Sequence, residues 1–340
     1  MSTIEMVIGI AAVIIVCAVF GVVITVGSLY LAKWRQKGIN PSNAFPRNPK
    51  GGALSYEQQR ALNVGAILAG SNSDFCDSLQ TSKAVAKRTI AEILERDWGI
   101  SSHEDAIKTL ESLKVSGHRL MNSFILKNSS QLLAAEGQSS VGPRDIYNQT
   151  GFKLLDDGLL TEYADEVALA EKHIDLIDEL LNASSYEDIK HLQSLFGDEG
   201  TFSVCIQIYR LFYEQCLIYA SRIDNLKQTL KGLREDGFLG SNPSELERLD
   251  VTAWDMGRMV NVARYSYDLG YISESQAWEY ILSAQRESSS IYADWAAFGR
   301  AYIVGRALWG GINLNFYDAI RTVKKLMKHK KSPWNLALLR

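Results

Sequence analysis

Two kinds of hydrophobic pattern divide the chain. Residues 6–32 are free of charged side chains, and the run stops at Lys33, Arg35 and Lys37. At about 1.5 Å of rise per residue, such a helix is roughly 40 Å long, enough to cross a hydrocarbon core of about 30 Å with room for tilt. From residue 55 onward the apolar positions recur instead at three- and four-residue spacing, the period of helices that cover one face. The first pattern predicts a membrane span and the second a multi-helix domain. Between them, residues 38–54 hold Pro41, Pro46 and Pro49 together with Asn and Gly, and read as a flexible linker.

Helix starts are marked by capping boxes, Ser55 with Gln58, Ser101 with Glu104 and Ser273 with Gln276, and by the weaker pair Ser185 with Asp188. Polar, Gly- and Pro-containing breaks at 137–152 and 237–243 separate three helical blocks. The expected fold is therefore all-α: an N-terminal transmembrane helix with its basic flank (1–37), a linker (38–54), and a helical domain over 55–312 in which about 137–243 is an insertion. A basic amphipathic tail follows over 313–340. Gly99, Ser102 and Ala106 are echoed by Gly270, Ser273 and Ala277, a pattern that any glycine-turned helical hairpin would use.

Charge adds orientation. The N-terminal flank of the span has no Lys or Arg while the other flank has three, so the short N-terminus is expected outside and the domain in the cytoplasm, at a bacterial inner membrane. A cleaved signal peptide would need a basic n-region and a shorter apolar core. Outside the span, Cys76, Cys205 and Cys216 form neither a C-x-x-C pair nor a cluster with His at ligand spacing, which fits a reducing compartment and gives no zinc site. Carboxylates from Asp156 to Glu179 in the middle block, with Asp188 and His191, lack the second Glu-x-x-His that a di-metal bundle requires. They read as a solvated face, and neither metal nor cofactor is expected.

The tail carries seven Lys or Arg against one Asp, a net +6, although the whole chain is −3. Phe316, Ala319, Ile320, Val323 and Met327 form its apolar stripe, with Arg321, Lys324, Lys325 and Lys328 on other faces. The acidic remainder disfavours nucleic acid as a partner. Beside a lipid bilayer, an anionic leaflet is the nearer one, contacted by the tail and by Lys33, Arg35 and Lys37; the rival reading packs the stripe of the tail on the domain core and leaves its lysines solvated.

The richest constellation lies between Trp254 and Trp309. Trp254, Arg258, Asn261 and Tyr265 fall on one helical stripe with Asp255 beside Arg258, and a later helix carries Trp295, Phe298, Tyr302, Arg306 and Trp309. A guanidinium among aromatics is either stacked or paired, and Asp255 is the natural partner to expect for Arg306. The runs "AWDMGRMVNVARYSYDLGYISESQAWEYI" and "DWAAFGRAYIVGRALWGG" resemble the family called domain of unknown function 1266, whose members share a W-D-x-x-R helix and a late G-R-x-x-W motif. The segments "QQRALNVGAILA", "DWGISS" and "SGHR" resemble its N-terminal part. The resemblance covers much of 55–311, leaves out the span and the basic tail, and implies a helical bacterial domain without implying a reaction.

Two readings of the cluster stand. In one, Asp255, Arg258 and Arg306 clamp two helices among core aromatics. In the other, Arg258, Arg264 and Arg306, with Asn261 and His118, converge on an anionic ligand or a partner's carboxylate. The chain contains no phosphate-binding glycine loop, no nucleophile elbow and no H-E-x-x-H, since position 107 after His103-Glu104 is Ile. A membrane-anchored binding or scaffold module, possessing protein partners, is the function expected. The alternative is an enzyme or toxin-related factor with a site at Asp255, Arg258 and Arg306.

Overall fold

The computed structural model describes residues 45–81, 87–129, 143–155, 157–242 and 244–340. The apolar run 6–32 and its flank Lys33, Arg35 and Lys37 lie outside the described residues. Among those described, no helix is long and apolar enough to cross a membrane. Every regular element described is helical, as the spacing predicts.

By their internal contacts the described residues form two compact units, the first from those up to Leu126 together with those from Gln228 to Arg340, the second from those between Lys127 and Lys227. The breaks in composition had suggested 137–243 for the second. Helices of the first unit are α1 (Tyr56–Leu62), α2 (Ala66–Asn72), α3 (Lys87–Trp98), α4 (His103–Val115) and α5 (Arg119–Lys127), the last residue of which begins the second unit.

The second unit continues with α6 (Pro143–Thr150), α7 (Asp157–Glu162), α8 (Ala164–Lys172), α9 (Ile174–Asn182) and α10 (Tyr186–Ser194), and α11 (Glu199–Glu235) leads back into the first. There follow α12 (Ser244–Glu247), α13 (Thr252–Leu269), α14 (Glu274–Ile291), α15 (Trp295–Gly310), α16 (Leu314–Lys328) and α17 (Pro333–Leu336).

Helix α13 is the axis of the first unit. It packs on α14, α15, α4, α3 and α2, and every residue from Thr252 to Ser266 is buried. A helix covered on all sides is normally apolar all round, yet this one buries Asp255, Arg258, Asn261 and Arg264. Each must therefore find partners within the protein, since an unpartnered buried polar group costs about 1–3 kcal/mol and a charge more.

The helix starts follow the capping chemistry. Ser55 with Gln58 and Ser273 with Gln276 form complete boxes, and Ser185 caps α10 by accepting from the Asp188 N–H. At α4 the cap is Ser102 rather than Ser101: Ser102 Oγ accepts from the Asp105 N–H, while Asp105 Oδ2 accepts from the backbone and hydroxyl of Ser101. Asp105 thus stands where Glu104 was expected, but it takes the N–H of Ser101 rather than that of the cap, so the box is not completed. The echoed triplets do the same work in both hairpins. Gly99 and Gly270 end α3 and α13 at φ +64 and +79, Ser102 and Ser273 cap the next helix, and Ala106 and Ala277 are fully buried.

Two expectations of segments at the ends of the domain are corrected. The linker does not extend to residue 54 as a free tether, because Phe45 is buried, the Cys76 N–H donates to the Pro46 carbonyl at 3.0 Å, and the Asn48 N–H donates to Asp77 Oδ1 at 2.8 Å. The tail is also part of the core. Phe316, Ala319, Ile320 and Val323 of α16 are buried, and α16 packs on α2 and α15, which leaves Met327 as the exposed member of the stripe. Beyond it, Trp334 is buried in a parallel stack on Trp295 at 5.2 Å and donates from Nε1 to the Asn63 carbonyl at 2.9 Å. The apolar face that would have needed a lipid surface is covered by protein.

The second unit has its own aromatic core, with Phe152 against Phe212 at 5.0 Å and Tyr147 against both. Glu162, Asp165, Glu171, Asp175 and Glu179 are exposed. No group of three metal-ligating side chains occurs among the described residues.

Candidate functional site

The site grows from the first turns of α13. Asp255 points inward and is fully buried, and its Oδ1 accepts from Nη2 of Arg258, one turn on. Its Oδ2 accepts from the backbone N–H of Arg119 at 2.8 Å, with the Arg119 guanidinium at 3.7 Å. Local chain geometry makes this possible. Gly117 holds φ +54 in the turn between α4 and α5, and any side chain there would collide with the Asp255 carboxylate. The Arg119 guanidinium in turn donates to the Leu113 and Val115 carbonyls at 2.7 and 2.8 Å, closing the C-terminus of α4. The S-G-H-R segment is therefore a cap for a buried carboxylate on another helix.

Arg258 is held between rings, its guanidinium carbon 4.7 Å from the Trp254 centroid and 5.3 Å from that of Trp98. Trp254 meets Tyr302 edge-on at 5.1 Å and Trp309 at 5.7 Å. Arg306 lies 5.7 Å from the Trp254 ring and 5.1 Å from the Trp309 ring. Burial lowers the pKa of both arginines, and the charge of Arg258 lowers that of Arg306 further.

The expected ion pair of Asp255 with Arg306 is not formed. Asp255 is spent on Arg258 and Arg119, and Arg306 donates from Nη2 to Asn313 Oδ1 at 2.8 Å, the residue that also caps α16. Arg306 Nη1 is buried without a hydrogen-bond partner among the described residues. It faces Gly310, where a side chain would strike it.

Of the sequence-predicted residues, Trp254, Asp255, Arg258, Arg306, Trp309 and His118 come together, with His118 stacked on Trp309 at 6.4 Å. Arg264 does not join them. Its guanidinium donates to the carbonyls of Phe75, Ser78, Leu79 and Gln80 at 2.7–3.3 Å and fastens the loop after α2. Asn261 lies between the two groups, next to Tyr265, whose hydroxyl donates to Asp74 Oδ2 at 3.1 Å. Trp98, Arg119 and Asn313 complete the cluster without having been singled out. The signal for Arg119 was in the S-G-H-R run itself.

Chemically, the cluster gathers three guanidiniums, Arg119, Arg258 and Arg306, around one carboxylate that only the first two contact. Asp255 has both oxygens occupied and no exposure, so it is not placed to take a proton from a substrate. Arg258 and Arg306 are 5 % and 4 % exposed, whereas Trp309 is 46 % exposed. Of the cluster, Trp309 is the most exposed member, with Trp98, His118, Arg119 and Asn313 half-buried beside it.

Fold and cluster together define an all-helical domain organised on a buried Asp-Arg-Trp clamp. The family described as "Protein of unknown function (DUF1266)" matches residues 93–338, most of the chain, and the chain belongs to it. The match begins after the "QQRALNVGAILA" segment, includes both motif helices, and runs through the basic tail, which the sequence reading had set apart as an addition. No curated protein and no solved structure matches the chain.

Proposed function

We propose that this chain is a binding module tethered to a bacterial inner membrane with its helical domain in the cytoplasm, and that Trp309 is where a protein partner presents an anionic side chain. The observation that carries the reading is Arg306: a buried guanidinium stacked under the exposed Trp309, with Nη1 lacking a hydrogen-bond partner among the described residues. A carboxylate presented at the Trp309 ring would lie over this guanidinium and balance a cluster whose cations outnumber its acids. Trp and Arg are also among the residue types enriched at the hot spots of protein interfaces. Clamp and contact are then two halves of one cluster, Asp255 with Arg258 holding the helices and Arg306 with Trp309 meeting the partner. The apolar run 6–32 and its flank supply the tether.

The test is photo-crosslinking of the full chain in native membranes, with benzoylphenylalanine replacing Leu314, an exposed residue at the start of α16. A discrete protein adduct that disappears with Trp309→Ala and persists with Val115→Ala supports the reading. Adducts indifferent to Trp309→Ala refute it.

A further inference from the structure

The point at which the chain enters the first unit determines which side of that unit a membrane would meet. Phe45 is 5 % exposed, with its ring edge-on to His329 at 6.0 Å and the Lys325 ammonium 4.8 Å from its centroid. From there the chain is fastened through the Pro46 and Asn48 hydrogen bonds. Only residues 38–44 separate Phe45 from Lys37 in the sequence. Fully extended, that stretch reaches about 29 Å, and as a coil about 15 Å. A compact unit of this size measures on the order of 40 Å across. A tether shorter than the body it holds keeps its attachment side toward the anchor.

The attachment side is basic. Arg47 and Lys50 are exposed just after Phe45, and Lys328, Lys330 and Lys331 are exposed beyond Lys325 and about His329. Neither segment contains an acid; of the acids that bond to these segments or to α16, Asp318 pairs with Arg321 and Asp236 with Lys324, both at 2.6 Å, while Asp77 accepts the Asn48 N–H and keeps its charge. Met327 and Leu336 add exposed apolar side chains. We propose that the edge formed by residues 45–50 and 325–331 docks on an anionic lipid leaflet and fixes the orientation of the domain. This inference rests on the membrane-tether reading. It differs from an amphipathic tail lying on lipid, because the apolar stripe of α16 is buried and the contact is made by lysines and by the pinned entry segment. Each basic residue brought near an anionic leaflet contributes roughly fivefold to binding.

The full chain is reconstituted in vesicles of phosphatidylglycerol or of phosphatidylcholine. A donor dye is attached to Leu336→Cys in a Cys17→Ser background, and acceptors to the lipid headgroups. Carbonate extraction of the same vesicles tests the anchor separately. The proposal expects energy transfer about twofold or more higher on phosphatidylglycerol. The excess should vanish with Lys328→Gln, Lys330→Gln and Lys331→Gln combined, or in about 0.5 M salt, where the Debye length is about 4 Å. A carbonate-resistant chain with equal transfer on both lipids overturns the docking while leaving the anchor standing. A chain stripped by carbonate overturns the anchor, and the docking with it.

Discussion

Removing the charge of Asp255 should destabilise the first unit through Arg258 and Arg119 rather than through Arg306. In Asp255→Asn the amide oxygen can still accept the Arg119 N–H now seen at 2.8 Å, but Arg258 is left buried between Trp254 and Trp98 without its counter-charge. Breaking a buried pair from one side costs about 3–5 kcal/mol, and the retained hydrogen bond places this variant near the lower end. Arg258→Met should cost a similar amount, since it leaves Asp255 with the Arg119 guanidinium only at 3.7 Å. In the double variant neither stranded charge remains, so the losses should fall short of additive by about 2 kcal/mol. Asp255→Asn combined with Arg306→Met should be additive to within about 1 kcal/mol, the residue of coupling passing through the Trp254 ring that both arginines touch. Every tryptophan among the described residues lies in the first unit, so urea unfolding of the full chain in mild detergent and in a Trp34→Phe background, followed by tryptophan fluorescence, reads that unit. A larger coupling for Asp255 with Arg306 than for Asp255 with Arg258 would refute the assignment of partners.

Gly117→Ala should lower stability by several kcal/mol, because it adds a side chain against the Asp255 carboxylate at φ +54, whereas Gly99→Ala, at φ +64 with open space around it, should cost only about 1–2 kcal/mol; the same fluorescence assay separates them. Trp334→Ala should cost about 3–5 kcal/mol by emptying the stack on Trp295, and a loss under about 1 kcal/mol would return the tail to the surface. Burial pushes the Cys76 and Cys216 thiols up to about 12, so they stay protonated in the folded chain while the unfolded chain ionises near pH 9. Stability should therefore fall as pH rises from about 9 toward 12, less steeply in Cys76→Ala with Cys216→Ala, and in a Cys17→Ser background neither thiol should react with a disulfide reagent at pH 8 until denaturant is added.

What was legible in the sequence was what is encoded locally. A serine three residues before a Gln or Asp fixes a helix start from within one turn, and the caps appeared at Ser55, Ser185 and Ser273. At α4 two serines and two acids compete, and Asp105 wins for Ser102 because its short side chain also reaches the Ser101 backbone and hydroxyl. Arg258 lies one turn from Asp255, and that spacing was readable; the second partner, Arg119, comes from a turn 136 positions away in the chain. Pairing by residue type therefore chose Arg306, a plausible cation on the right helix with the wrong neighbour. Arg264 was unreadable for a different reason: its partners are four backbone carbonyls of a loop, and carbonyls carry no sequence signal.

The tail shows the same limit at the level of a whole element. An apolar stripe states that a helix has a covered face and says nothing of what covers it. The apolar run at 6–32 made lipid the obvious surface, but the stripe of α16 is filled by α2 and α15, and Trp334 then locks the chain back onto Asn63. The charge of the same segment is a separate property with a separate destination. Arg321 and Lys324 are consumed by Asp318 and Asp236, while Lys328, Lys330 and Lys331 keep their exposure beside the place where Phe45 enters. One helix therefore serves the core with its apolar residues and leaves its last turn and the loop beyond it for a charged surface. Substituting stripe and lysines independently should separate the two roles: Ile320→Ala lowers stability without altering lipid preference, and Lys328→Gln with Lys331→Gln does the reverse. Loss of stability from the lysine changes would mean that their charges serve the fold after all.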